Sequence, residues 1–132
     1  MNAIVRALLG RLLGDRGERE AARYLRQQGF RILVRGYKTP RGEVDLIARD
    51  GDTVVFIEVK TRRHGTPAEA VTPEKQRRLT LAALQFLKEH GLLEQRSRFD
   101  VVAIVWPDQQ RIPTVEHIRG AFDAVGTGQF FR

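Results

Sequence analysis

The segment "GEVDLIARDGDTVVFIEVKTRR", residues 42–63, limits what this chain can become more than any other stretch. Two apolar runs rich in β-branched residues flank an Asp-Gly pair, the pattern of an antiparallel hairpin. Yet Glu43, Asp45, Glu58 and Lys60 stand inside those runs, where apolar side chains would pack better. Alternate residues of a strand share a face, so Phe56, Glu58 and Lys60 belong together. If Asp50-Gly51 forms a two-residue loop, Asp45 faces Phe56 and Glu43 faces Glu58; a four-residue loop sets Asp45 opposite Glu58. Either loop puts Glu43, Asp45, Glu58 and Lys60 on one surface, with the Asp45 and Glu58 Cβ atoms about 4.5–8 Å apart. Carboxylates that close repel each other unless one is protonated or a cation lies between them.

A divalent cation resolves the conflict. Mg²⁺ (or Mn²⁺) prefers oxygen ligands and commonly takes one or two carboxylates with substrate phosphate. Lys60 is then placed to orient a water or to stabilise charge on a phosphorane. These are the parts that metal-assisted phosphodiester hydrolysis requires. The alternative is an exposed sheet face with cross-strand ion pairs. Glu-x-Lys by itself has little weight, since a chain of this length contains about one acidic-x-Lys by chance.

The rest of the chain supplies a setting for the hairpin. Its 132 residues suit a single domain. Before the hairpin, "MNAIVRALLGRLLG" carries a helical stripe of Ile4, Val5, Leu8, Leu9, Leu12 and Leu13, interrupted by Arg6 and Arg11. It is too short and too charged to span a membrane, and no small-residue cleavage site follows it. A helix is expected from Asp15 as N-cap to Gly29 as C-cap. "FRILVR" reads as a strand and "GYKTPRG" as the turn after it. Beyond the hairpin, "TRRHGTPAEAV" reads as a polar loop. A second helix starts at Thr72 with Pro73 in its first turn, buries Leu79, Ala82, Ala83, Phe86 and Leu87, and stops at Gly91. "RFDVVAIVW" is a strand and "RIPTVEHI" an edge strand, because Pro113 cannot donate to a central ladder. A short helix around Ala121 and Phe122 closes the order αβββαββ, which implies an α/β fold with a mixed sheet flanked by helices.

Charge and composition narrow the partners. The net charge is +7 with a pI near 10.7, and a basic surface attracts polyanions, nucleic acid above all. With no cysteine, disulfides, thiolate metal sites and cysteine nucleophiles are excluded, which suits a reducing cytoplasm. Arg62, Arg63 and His64 after the hairpin, with Lys75, Arg77 and Arg78 on the second helix, form a cationic flank for phosphate contacts without sequence preference. Each of them alone also fits an ordinary surface cation. Glu18 falls at i with Ala21, Ala22 and Leu25 at i+3, i+4 and i+7, so it ends an inward stripe as a further metal ligand or base. It also fits a capping box with Asp15. Gln76 shares a face with Leu79 and Ala83 near the helix N-terminus, either holding a phosphate or water or simply solvated. His90 and His117 have no partners at metal-ligand spacing and read as satisfied or solvated side chains, and Asp100 fits either an extra acid of the site or a hydrogen-bonding role at a strand end.

Taken in order, "GEREAARYLRQQGFRIL", "RGEVDLIARDGDTVVFIEVKTR", "AVTPEKQRRL" and "RFDVVAI" resemble the YraN-like family of small bacterial proteins. That family is related to the archaeal Holliday junction resolvases of the PD-(D/E)xK nuclease superfamily. The likeness runs from about Gly14 to Phe122. It implies a restriction-endonuclease-like core spanning residues 14–124, with 1–13 as an N-terminal helical segment and 125–132 as a loose tail. It also implies catalytic roles for Glu18, Asp45, Glu58, Lys60 and Gln76. Asp45, Glu58, the Val59 carbonyl and Glu18 would serve as metal ligands. Val44 replaces the proline that often precedes the first acid, and Gly36 stands where relatives usually carry asparagine. The expected activity is Mg²⁺-dependent cleavage of DNA, with branched DNA as a candidate substrate. A homodimer is expected because paired nicks need two symmetric sites. The rival expectations are a DNA-binding adaptor of the same fold and a structural partner protein without DNA affinity.

Overall fold

The computed structural model describes residues 3–65, 70–108 and 112–124, with only the backbone for 6–14. Helix α1 (Ala3–Gln27) leads into β1 (Arg31–Thr39), β2 (Gly42–Asp50) and β3 (Thr53–Arg63); α2 (Pro73–Glu89), β4 (Ser97–Trp106) and β5 (Thr114–Phe122) follow. The strands form one sheet in the order β1-β2-β3-β4-β5. β3 and β4 run parallel, with α2 as their crossover. Every other neighbouring pair is antiparallel. This is the mixed α/β arrangement expected, and it is consistent with a restriction-endonuclease-like core.

Each helix covers its own apolar layer. Ala21, Ala22 and Leu25 of α1 pack on Leu46, Ala48, Val55, Ile57, Val102 and Ile104. Leu79, Ala82, Ala83, Phe86 and Leu87 of α2 pack on Val44, Ile47, Val54, Phe56 and Phe99. These are the two stripes that the helical spacing predicts. The caps of α2 also agree with expectation. The Thr72 hydroxyl accepts from the Lys75 backbone N–H at 3.2 Å, and Pro73 opens the first turn.

Four boundaries differ from expectation. First, α1 is continuous through residue 15, so Asp15 is no N-cap and the capping box with Glu18 does not form. Gly17, which costs about 1 kcal/mol in a helix interior, is buried where a Cβ would run into the Thr61 hydroxyl of β3. It is a close-approach residue rather than a helix break. Of the N-terminal stripe, Ile4 and Val5 are exposed, and Leu8, Leu9, Leu12 and Leu13 lie outside the described side chains. Second, β1 does not stop at Arg35 but runs to Thr39, because Gly36 takes a φ of +65° and lets the strand turn and continue. Third, β3 extends through Thr61, Arg62 and Arg63, which pair with Ile104, Val105 and Trp106. Residues 66–69 of the expected loop lie outside the described residues.

The fourth difference is at the C-terminal end. Ala121 and Phe122 are not helical but finish β5. Gly120, at a φ of +59°, accommodates a register shift there. Phe122 then stacks on Phe99 with ring centroids 4.9 Å apart. The residues expected as a loose tail from 125 onward lie outside the described residues.

Candidate active site

The hairpin loop is Gly51-Asp52, one residue later than Asp50-Gly51, with Gly51 at a φ of +62°. The ladder therefore pairs Asp50 with Thr53 and ends at Leu46 with Ile57. Asp45 and Glu58 are the next residues on each side, the register that a four-residue loop was expected to produce. They converge differently from a simple shared face. Val44 packs in the α2 layer and Leu46 in the α1 layer, so regular alternation is broken at Asp45. The β1–β2 pairs Arg35↔Leu46 and Tyr37↔Val44 bracket Gly36 and Asp45, which places the left-handed glycine beside the break. As a result the Asp45 carboxylate enters the gap between β2 and β3, where its Oδ2 accepts the Val59 N–H at 2.8 Å.

Glu58 is buried, at 4% exposure, in the middle of β3. Its Oε1 faces the ammonium of Lys60 at 3.8 Å and that of Lys75 at 2.6 Å. An uncompensated carboxylate at that depth would be costly, and the two lysines supply the compensation. Among the described residues Asp45 makes no ion pair. Burial first, and then repulsion from Glu58, push its carboxyl up to about 7, against the pull of the Val59 N–H and the charge of Lys75. Glu18, half-buried on α1, is also raised, first by burial and then by Asp15, with Glu43 and Glu58 adding to it. α1 and the two central strands thus bring Glu18, Asp45 and Glu58 into one electrostatic neighbourhood, with Lys60 at its edge.

This donor set has a definite capacity. Among the described residues, no three acidic or histidine side chains gather closely enough to hold a metal by themselves. Two hard carboxylates that repel each other still fit a Mg²⁺ ion that keeps its waters and takes further oxygens from a phosphate. Asp45 and Glu58 would hold it, with Glu18 at the margin. Val59 is fixed at the site through its N–H.

The other expected residues divide. Gln76 turns its amide back to the Val71 carbonyl at 2.9 Å, so it braces the start of α2. Arg62 binds Glu116 of β5 through both carboxylate oxygens, at 3.1 and 3.0 Å. Lys75 sits on Glu58 and belongs to the acid pair. Arg63 is exposed at the end of β3. Arg77 and Arg78 are exposed and only loosely paired with Glu74, at 3.8 and 3.4 Å. They line a groove of about 1240 Å³ between α2 and the β1–β2 turn, which also receives Lys38 and Arg41. Sequence reasoning missed those last two residues. They flank Pro40 in a segment read only as a turn, and only the fold carries that turn to α2.

Away from the site, Asp100 and His117 satisfy each other. Asp100, fully buried, binds His117 Nε2 at 2.8 Å, Arg98 Nε at 2.9 Å and the Gly120 N–H at 3.0 Å. The other ring nitrogen of His117 meets the Tyr24 hydroxyl at 3.1 Å. His90 is exposed and lies against Phe86, with ring centroids 4.4 Å apart. His117 is thus satisfied and His90 solvated, as expected, whereas Asp100 makes its hydrogen bonds from inside β4 and not from a strand end.

Fold and site together define a mixed α/β protein with paired acids at the point where two central strands diverge, beside a cationic groove. The model described as "Uncharacterised protein family UPF0102", the YraN family, matches residues 17–104, and the chain belongs to that family. A UPF0102 protein of Geobacter sulfurreducens is 49% identical over 118 residues, covering 86% of this chain and 90% of the relative. One from Anaeromyxobacter dehalogenans is 50% identical over 117 residues, 86% of each chain. One from Rhodococcus opacus is 52% identical over 113 residues, 83% of this chain and 95% of the relative. No helix among the described residues is long and apolar enough to cross a membrane.

Proposed function

We propose that this protein is a Mg²⁺-dependent endonuclease that hydrolyses DNA phosphodiester bonds. The observation that carries the proposal is the Asp45–Glu58 pair. Two acids are kept together, with the Asp45 carboxyl pushed up by burial and by Glu58, and Lys60 and a cationic groove stand at their side. Folding alone would favour apolar residues there, and a functional site is where such a rule is broken.

The chemistry is hydrolysis. Water attacks phosphorus, one P–O ester bond breaks, and the products are a phosphate monoester end and a hydroxyl end. Bound Mg²⁺ would polarise the phosphoryl oxygen and acidify the attacking water. Asp45 and Glu58 anchor the site in the gap between β2 and β3. Lys60 brings an ammonium to the edge of the acid pair, where it stabilises negative charge that develops on the phosphoryl oxygens. Glu18, with its proton affinity raised by burial and neighbouring acids, is suited to accept the proton of the water. Lys38, Arg41, Arg77 and Arg78 hold the backbone of the substrate, which gives affinity without sequence preference.

A second reading, a DNA-binding adaptor without catalysis, has one observation in its favour: Glu58 already has two lysines, and among the described residues no third acid comes close enough to complete a metal-binding group. Cleavage assays separate the two. Purified protein is incubated with four-way junction, flap, single-stranded and duplex DNA, in Mg²⁺, Mn²⁺ or chelator. The expected outcome is metal-dependent cleavage of at least one substrate, reduced about 100-fold or more in both Lys60→Ala and Asp45→Asn. Cleavage that survives in either variant marks a contaminant. Salt-sensitive binding with no cleavage of any substrate supports the adaptor, and no DNA affinity even at low salt removes both readings.

A further inference from the structure

Lys75 has two surroundings at once. Its ammonium lies 2.6 Å from Glu58 Oε1, while its side chain is 45% exposed and lines the cationic groove. Lys60 differs on both counts. It stands 3.8 Å from the same oxygen, is 23% exposed and comes from β3 itself. Lys75 comes instead from the first turn of α2, directly after the Thr72 cap. The ammonium on Glu58 and a cation held by Glu58 would compete for one carboxylate oxygen. The ammonium on Glu58 and an ammonium on a phosphate in the groove are likewise alternatives for a single side chain.

Resting on the nuclease reading, we propose that Lys75 is an exchangeable counterion that couples substrate phosphate to divalent-cation binding at Glu58. Without DNA, Lys75 neutralises Glu58 and keeps the acid pair compact. When a phosphodiester enters between Arg41 and Arg78, the ammonium of Lys75 leaves Glu58 for a phosphate oxygen. The carboxylate it vacates is then open to a hard cation. Lys60 stays beside Glu58 throughout and keeps its role in the chemistry. The exchange needs only rotation of a lysine side chain, with one ion pair broken as another forms. By linkage, whatever factor DNA adds to cation affinity the cation adds to DNA affinity. The consequence is a site that assembles fully only on substrate, which limits idle cation uptake.

The test measures Mn²⁺ binding by electron paramagnetic resonance, without DNA and with a short duplex. Metal bound by the duplex itself is subtracted. Wild type is expected to bind Mn²⁺ weakly alone and at least about fivefold more tightly with DNA. Lys75→Ala is expected to bind Mn²⁺ at least about fivefold more tightly than wild type when DNA is absent, and to lose that factor from its response to DNA. Arg78→Ala removes a groove cation that does not touch Glu58, so it should weaken DNA binding without reproducing the gain in Mn²⁺ affinity. Equal Mn²⁺ affinity in wild type and Lys75→Ala, or an undiminished response to DNA, overturns the exchange and leaves the nuclease reading intact. Equal gains in Arg78→Ala and Lys75→Ala also overturn it, because the effect is then general charge. No Mn²⁺ uptake by any variant, with or without DNA, overturns both.

Discussion

At Asp45, burial and the Glu58 carboxylate act in the same direction, and the result is a group held at about 7 against an ordinary 3.8. An acid raised by folding releases its proton later in the native chain than in the unfolded one. Between 3.8 and about 7 the folded protein keeps a proton that the unfolded chain has lost, so its stability falls as pH rises through that window. In chelator, the urea midpoint of wild type is expected to drop across this range and level off above it. Asp45→Asn cannot ionise and still offers an oxygen to the Val59 N–H. It should flatten the slope and exceed wild type in stability at about pH 8 by about 1 kcal/mol or more. A wild-type midpoint that rises across the window would show that Asp45 ionises normally. The presence of Asp45 and Glu58 was readable from the chain. Their energies were not, because both depend on the depth at which the strands bury them and on Lys75 arriving from α2.

Among the elements, the approach of the β1–β2 turn to α2 decides whether a groove exists. Gly42 makes that approach possible: a Cβ there would lie 2.5 Å from the Arg78 carbonyl oxygen, a backbone atom that cannot rotate aside. Gly42→Ala is expected to lose about 1–3 kcal/mol of stability, measured by urea denaturation, as the β1–β2 turn or the second turn of α2 moves away. An unchanged midpoint would mean that the contact is looser than its geometry. Element types followed from periodicity for both helices and for the hairpin, since their apolar spacing is long and regular. Boundaries failed where a glycine did something other than end an element. Gly17 sits inside α1 against Thr61, Gly36 bends β1 without ending it, and Gly120 carries β5 onward. A glycine in a sequence announces an unusual backbone or a close neighbour, and only the neighbour tells which.

For the whole molecule, the net charge of +7 is not spread evenly in its consequences. Arg62 is held by Glu116, whereas Lys38, Arg41, Lys75, Arg77 and Arg78 line the groove, Lys75 with its ammonium on Glu58. If the groove carries DNA, binding followed by fluorescence anisotropy should weaken linearly on a log–log plot against salt. Arg41→Ala should reduce the slope by about 1, and Arg62→Ala should leave it nearly unchanged. The reverse ranking would move the DNA path to the far end of β3.

The sequence by itself determined the mixed α/β plan, both helix stripes, the hairpin and the placement of acids in its strands. Each of these is written in local periodicity and loop chemistry, which act over a few neighbouring residues. The tertiary structure alone decided that Asp45 enters the gap between β2 and β3, that Lys75 rather than solvent faces Glu58, and that Lys38 and Arg41 share a groove with α2. Those outcomes join residues distant in the chain, and distance in the chain carries no information about contact until a sheet order and a crossover have been chosen.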